Sequence, residues 1–353
     1  MLRFAVLDDY TGSVWSASGG SSPTGFQRVG SVIPGGGSGD AAQVTVTVKA
    51  AYAATQELNL WVPGLGSTSR VSFSGSNQRS HASSMRYNLS TGQAVVTDRL
   101  KDGDVVSMTT TPLPTVAGNS APSPDGAVVI SDPMLKFVTP TIQKLAAQKP
   151  TSWDKLMAVA SAFQSGAWSD GTAAGEGQYL PGHGQGRLSG FLNGDQLVGS
   201  DEQYAAAFAL IANKLGYPAR VVFGAVVPQD GVVKGQNVKV WVEVSTTDGW
   251  QVISPDKYVP DRNRHPDNVP PAPVSQNAPI VVPPPNPVQP PGSLDSVFDA
   301  ATSNKKPTGG SLISDALKNI LMAVLTWGGP PVAVIGGWLL LVAVGRAVRR
   351  RLG

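Results

Sequence analysis

The chain has 353 residues, 41% of them hydrophobic, and a formal charge of only +3. Part of that charge sits in the last eight residues, so the basic balance is no sign of nucleic-acid binding. The absence of cysteine excludes disulfides, cysteine-based zinc sites and any thiol nucleophile. The three histidines, His81, His183 and His265, are scattered through loop-like sequence, so no metal centre and no cofactor is expected.

Residues 1–130 are rich in Gly, Ser, Thr and Val, with period-2 runs such as Val44–Val48 between turn signals, and read as an all-β module. The expected strands are Leu2–Leu7, Ser13–Ala17, Gln43–Ala50, Glu57–Val62, Arg70–Phe73, Met85–Asn88, Gln93–Thr97 and Asp104–Thr111. Met1 opens almost inside a strand, with neither the charged nor the apolar region of an export signal. From Asp132 the period becomes helical. Pro133 stands at one helix start, and after Pro150 a second run carries Trp153, Leu156, Met157 and Phe163, with Ser152 and Asp154 near its N-terminus. Residues 166–190 are Gly-rich and aperiodic and read as a long connection anchored by Phe191 and Leu192; His183, between two glycines, reads as a solvated loop residue.

Ser200 with Gln203 three residues later forms a capping-box signature. The helix it predicts carries Tyr204, Phe208, Ile211 and Leu215 as one apolar stripe and ends at Gly216 and Pro218. A buried strand follows in Ala219–Val227, a second in Val238–Val244, and a hairpin turn at Asp248-Gly249 leads to a third in Trp250–Ile253.

These residues resemble the transglutaminase-like domain of the papain-like thiol superfamily, of the membrane-anchored kind found in bacterial envelopes. The family pattern is Gly-x-Cys-x-x-Tyr/Phe-Ala, a helix, Gly-x-Pro-Ala-Arg-Val, then His-x-Trp-Val-Glu-Val, then Trp and a strand ending in Asp-Pro. Gly199, Tyr204, Ala205, Gly216, Pro218, Ala219, Arg220, Val221, Trp241, Val242, Glu243, Val244, Trp250 and Pro255 follow it in order. The resemblance puts Asp201 at the nucleophilic Cys, Lys239 at the His and Ser254 at the Asp, so the whole triad is substituted. A carboxylate is a poor acyl carrier, and lysine is protonated near neutral pH unless strongly desolvated. Asp201 and Lys239 are therefore expected to pair.

The resemblance implies an α+β transglutaminase-like (papain-like) fold, preceded by the all-β module, and no catalysis. Ser200, Tyr204, Trp241 and His183 are the candidates for lining a binding cleft. The alternative is an amide-processing enzyme with a non-Cys nucleophile, such as Ser200 with Lys239 as base. Against it, one helical residue is about 100° of rotation, so Ser200 points elsewhere than residue 201. Glu202, Asp195 and Asp256 read as solvated charges rather than metal ligands. Residues 2–15 also resemble the piece that follows the multi-helix membrane region in membrane-bound relatives, which implies upstream membrane helices; the alternative is a C-terminal anchor inserting alone.

Beyond Tyr258 the globular part is expected to end, because residues 260–291 hold twelve prolines and read as an extended spacer. Asn319–Gly345 is free of charge for twenty-seven residues, long enough to cross a bilayer. Gly328-Gly329-Pro330-Pro331 interrupts it, and Arg346, Arg349, Arg350 and Arg351 follow, which sets the C-terminus in the cytoplasm. The expected organisation is thus a β-rich extracytoplasmic module (1–130), a degenerate transglutaminase-like domain (131–258), a Pro-rich linker (259–316), a transmembrane segment (317–345) and a basic cytoplasmic tail (346–353). The expected partners are the membrane lipid bilayer and an envelope protein or peptide, with no nucleic acid.

Overall fold

The computed structural model describes residues 1–17, 25–34, 40–116, 118, 121–123 and 130–267. In chain order the N-terminal half has β1 (Leu2–Leu7), β2 (Asp9–Tyr10), β3 (Trp15–Ser16), β4 (Gln27–Arg28), β5 (Ala42–Thr47), α1 (Ala50–Ala54), β6 (Trp61–Val62), β7 (Gly66–Ser74), α2 (Gln78–Ser84), β8 (Met85–Asn88), β9 (Gln93–Val96) and β10 (Val105–Pro112). A 3₁₀ turn at Asp132–Val138 leads to α3 (Thr139–Ala146), α4 (Ser152–Gln164), β11 (Ala167–Trp168), α5 (Gln185–Asn193), β12 (Val198–Gly199) and α6 (Asp201–Lys214). The sequence then returns as β13 (Ala219–Ala225), β14 (Val238–Thr246) and β15 (Gly249–Ile253), closed by a 3₁₀ turn at Pro255–Lys257.

Two sheets, β5-β10-β7 and β4-β8-β9-β6, form the N-terminal module. They share a core of Val48, Val71, Met85, Tyr87, Val96, Leu100, Val106 and Met108. Along β5 the alternation of half-buried Ala42, Val44 and Val46 with exposed Gln43, Thr45 and Thr47 is the period-2 signature of a strand with one wet face. The module is not all-β, because Ala50–Ala54 and Gln78–Ser84 are helical. His81, expected in a loop, lies on α2 almost fully buried, with Nδ1 2.8 Å from Asp98 and Nε2 2.7 Å from Asp104. Burial pushes both carboxyls up, but hydrogen bonds from Ser80, Ser84 and His81 to Asp98, and from Asn77, Lys101 and His81 to Asp104, outweigh it, and both are held below the usual carboxylate range.

The other large sheet has the order β1-β13-β14-β15, all antiparallel. Leu2–Leu7, expected with the N-terminal module, is thus an edge strand of the sheet built by residues 219–253. Helix α6 packs on one face of this sheet. The expected stripe of four residues understates its burial: every residue from Gln203 to Ala212 is buried. Five alanines among them let β14, β13, α4 and α5 approach on all sides. Phe208 stacks on Tyr258 with ring centroids 4.5 Å apart, and Phe163 and Phe191 close edge-on over Tyr204.

The two faces of β14 do different work. Val242 and Val244 join the α6 core, whereas Trp241 packs with Val6, Val222 and Val252 on the opposite face. Beside it the fully buried Glu243 meets Arg3 Nε at 3.3 Å and Arg220 Nε and Nη2 at 2.8 Å. Arg3 also donates to the Thr91 carbonyl (2.6 Å) and Arg220 to that of Ser90 (3.1 Å), so the triad fastens the β8–β9 turn to this sheet. Burial lowers the Arg3 guanidinium to about 10, the Glu243 charge opposing the fall.

The globular part does not end at Tyr258. Val259 and Pro260 are buried, and residues 261–267 continue across the surface. The rest of the expected linker, the transmembrane segment and the basic tail lie outside the described residues. Among the described residues no helix is long and apolar enough to cross a membrane.

Candidate functional site

The expected helix start is realised atom by atom. The Ser200 hydroxyl accepts from the Glu202 N–H (3.3 Å), and the Gln203 side-chain oxygen accepts from the Ser200 N–H (2.8 Å). Asp201 is the first residue of α6, where the helix dipole favours a negative charge. It is nevertheless 5% exposed, so the carboxylate needs partners. Three supply them. Trp168 Nε1 donates to Oδ1 (3.0 Å), Arg262 Nη2 donates to Oδ2 (2.8 Å), and Lys239 Nζ lies 3.5 Å from the same Oδ2.

Each partner is delivered by a separate piece of backbone. The short parallel pair of β11 and β12 aligns Trp168 with Gly199 and so sets the indole beside the start of α6. Lys239 is the second residue of β14, opposite Gly224. A Cβ at Gly224 would fall 2.2 Å from the Leu2 carbonyl oxygen and 2.4 Å from the Trp241 ring, so only glycine fits between β1 and that indole. Arg262 reaches in from beyond the last strand. Its Nη2 also donates to the Val238 carbonyl (2.9 Å) and its Nη1 to that of Gln236 (3.3 Å), while its guanidinium carbon lies 5.5 Å from the centre of the Trp168 ring.

A cavity of about 730 Å³ opens beside this cluster, lined among others by Lys239, Ser254, Asp256, Val259 and Arg262. Ser254 borders it, but the Ser254 hydroxyl is hydrogen-bonded to the Asp256 carboxylate. The structure therefore brings Asp201 and Lys239 together and leaves Ser254 in the same cavity with a different partner.

The cleft candidates divide. Tyr204 and Trp241 are each 0% exposed and line no cleft. The Tyr204 hydroxyl faces the carbonyls of Ala167 and Leu197 (2.9 and 2.8 Å), and burial raises its pKa. The Trp241 indole belongs to the far face of the sheet. Ser200, besides capping the helix, lies 3.1 Å from Gln203 Oε1.

His183 is not a solvated loop residue either. Its Nδ1 is 2.8 Å from Glu202 Oε1 and its Nε2 is 3.2 Å from the Trp15 carbonyl. Burial alone would lower the imidazole, but the Glu202 hydrogen bond and charge, with the Trp15 carbonyl, raise it. Glu202, expected to be a solvated charge, is held below its ordinary range: burial opposes ionisation, and His183 and the Gly182 N–H outweigh it. Both ring nitrogens thus face an acceptor, the Glu202 carboxylate and the Trp15 carbonyl.

The sequence reading missed Trp168 and Arg262. The second had a signal, since Asp261-Arg262-Asn263-Arg264-His265 interrupts the proline pattern with charge. Chemically the centre holds one carboxylate that accepts from an indole N–H and a guanidinium, with a second cation beside it. Among the described residues no group of three or more His, Asp or Glu side chains is placed to hold a metal ion.

Residues 140–255 match the family model described as the transglutaminase-like superfamily. Comparison with curated proteins gives no match. Among solved structures the chain is similar to the periplasmic domain of TgpA from Pseudomonas aeruginosa bound to ethylmercury, at 16% identity and a TM-score of 0.45, over 73% of this chain and 84% of that one. A second structure of the same domain gives 16% identity and a TM-score of 0.44 over 72% and 81%. The matched segment runs from α3 to the turn after β15 and takes in α6 and the strands it packs on, so over this segment the chain is similar to the transglutaminase-like superfamily.

Proposed function

We propose that the chain is a catalytically inactive transglutaminase-like protein of the cell envelope, acting as a binding or scaffold element. The observation that carries this reading is Asp201: a buried carboxylate stands where the resemblance puts the nucleophile, hydrogen-bonded by Trp168 and Arg262 and flanked by Lys239. Acyl transfer in this superfamily needs a nucleophile with a free lone pair and a base to take its proton. Asp201 offers a weak acyl carrier already engaged by donors. The ligand expected is a peptide or protein segment, and the cavity lined by Lys239, Ser254, Asp256 and Val259 is the place for it, with polar groups and an apolar wall together.

The proposed setting is extracytoplasmic, with residues 317–345 as a C-terminal membrane span and the arginine tail in the cytoplasm. Protease added to intact cells should remove the domain that contains Trp241 and spare the tail; recovery of the whole chain in the soluble fraction argues against the anchor. For the site, the purified full-length protein should show neither transamidation nor amide hydrolysis. Turnover that disappears in Asp201→Ala or Ser200→Ala, with folding intact, would overturn the inactive reading in favour of an enzyme with a non-Cys nucleophile.

A further inference from the structure

The centre at Asp201 has an excess that pairing alone does not explain: two cationic side chains serve one carboxylate. Arg262 holds Oδ2 at 2.8 Å, while Lys239 Nζ waits at 3.5 Å from the same atom. Arg262 differs from the other partners in its setting. Trp168 and Lys239 sit on strands, whereas Arg262 follows Val259 and Pro260, the last buried pair among the described residues. From Asp261 to Asp267 only Arg262 and Pro266 are less than exposed.

No apolar core holds that stretch down. It is fastened by polar contacts alone: the Arg264 carbonyl accepts from the Trp168 N–H (2.7 Å), Arg264 Nη1 reaches the Gln164 carbonyl (3.5 Å), His265 Nδ1 lies 3.0 Å from Glu176 Oε1, and the Asp267 N–H donates to Gln196 (3.3 Å). Such a surface segment, with few buried apolar groups, belongs to the low-stability end of a fold.

We propose that residues 261–267 are a releasable strap, latched over the Asp201 centre by Arg262, and that Lys239 is the reserve cation that takes the carboxylate when the strap lifts. A buried carboxylate stripped of its partner would hold the strap shut, because opening would leave a bare charge. Lys239 removes that obstacle. A movement of under about 1 Å brings Nζ from its present distance into a charge-assisted hydrogen bond with Oδ2, so the carboxylate exchanges one cation for the other. Lifting the strap also removes Arg262 and Asp261 from the wall of the neighbouring cavity, so access to the cavity follows the state of the strap. The latch is independent of whether the centre turns over any substrate.

Limited trypsin digestion of the full-length chain in detergent, read by mass spectrometry at the Arg264–His265 bond, tests the latch. The Arg220–Val221 bond, inside the buried strand β13, reports global unfolding and should stay uncut. In Arg262→Met, cleavage at Arg264 should rise about tenfold over wild type while the melting temperature falls little. Lys239→Met should leave both near wild type. In the double variant the melting temperature should fall by more than the two single falls together, because Asp201 then has neither cation. Wild-type cleavage at Arg264 in Arg262→Met would overturn the latch. A double variant no worse than the sum of the singles would overturn the reserve role of Lys239. Neither outcome depends on an activity assay, so failure here is distinct from failure of the inactive reading.

Discussion

Replacing Glu243 with Gln changes one charge at the point where β1, β13 and β14 meet. Glu243 is fully buried and is shared by Arg3 and Arg220, themselves 2% and 3% exposed. The substitution keeps shape and one acceptor but leaves two buried guanidinium groups without a counter-charge. Both keep a backbone partner, Thr91 for Arg3 and Ser90 for Arg220, so one pair-breaking penalty is the fair estimate rather than two. That penalty is about 3–5 kcal/mol, a large share of the roughly 5–15 kcal/mol that holds a domain together. At roughly 2–4 °C per kcal/mol for a fold of this size, we predict a fall in melting temperature of about 6–20 °C. Calorimetry on the full-length protein measures it. The companion variant is Arg3→Met/Arg220→Leu/Glu243→Leu, which removes every charge at once and should lose less than the single change, because no ion is left unpaired. A Glu243→Gln protein melting within about 2 °C of wild type would show that water reaches the triad, and the reasoning from burial would fail.

We predict that Phe208→Ala, which empties a site stacked on Tyr258, destabilises by about 3–5 kcal/mol; an unchanged melting temperature would mean that α6 does not bury this face. The His183–Glu202 pair should give a stability maximum at mildly acidic pH. The raised His183 contributes fully below its unfolded value of 6.5 and less as pH rises through its folded one; the lowered Glu202 contributes above 4.5 and loses its share as pH falls through its folded value. Glu202→Gln should lower the plateau between these limits and flatten the falls in melting temperature on either side of it, and a profile identical to wild type would sink the pairing. Gly224→Ala should unseat β1, because its Cβ would overlap the Leu2 carbonyl; normal hydrogen-exchange protection in Leu2–Leu7 would contradict this.

What was legible in the sequence was local. Ser200 and Gln203 announce the start of α6, Gly216 with φ of +90° closes it, and the β-branched runs of β13, β14 and β15 carry their own period. What escaped depends on partners far away in the chain. Trp168 and Arg262 come to Asp201 from 33 and 61 positions off, and no periodicity marks such a meeting. Tyr204 and Trp241 neighbour Asp201 and Lys239 in the sequence and so suggest a cleft, yet period alone cannot say that α6 is buried on every side. Proline content hid the true edge of the fold, since a surface strap held by polar contacts has the composition of a linker.

The placement of β1 bears on how the protein acquires its structure. Leu2 pairs with Ala225, so β1 finds its main partner among the described residues more than two hundred positions later. Before β13 exists, Phe4 can already meet Tyr52 and Arg3 can bridge Gly64, but Val6 lacks Val222 and Trp241, and most of the strand is an open apolar edge of the sort that invites wrong pairing. The β5-β10-β7 and β4-β8-β9-β6 sheets, by contrast, are complete by residue 112. Folding should accordingly run in two stages: the N-terminal sheets close first, and β1 waits for β13. High sequence separation of paired strands slows folding, so this antiparallel pairing should be among the last to form.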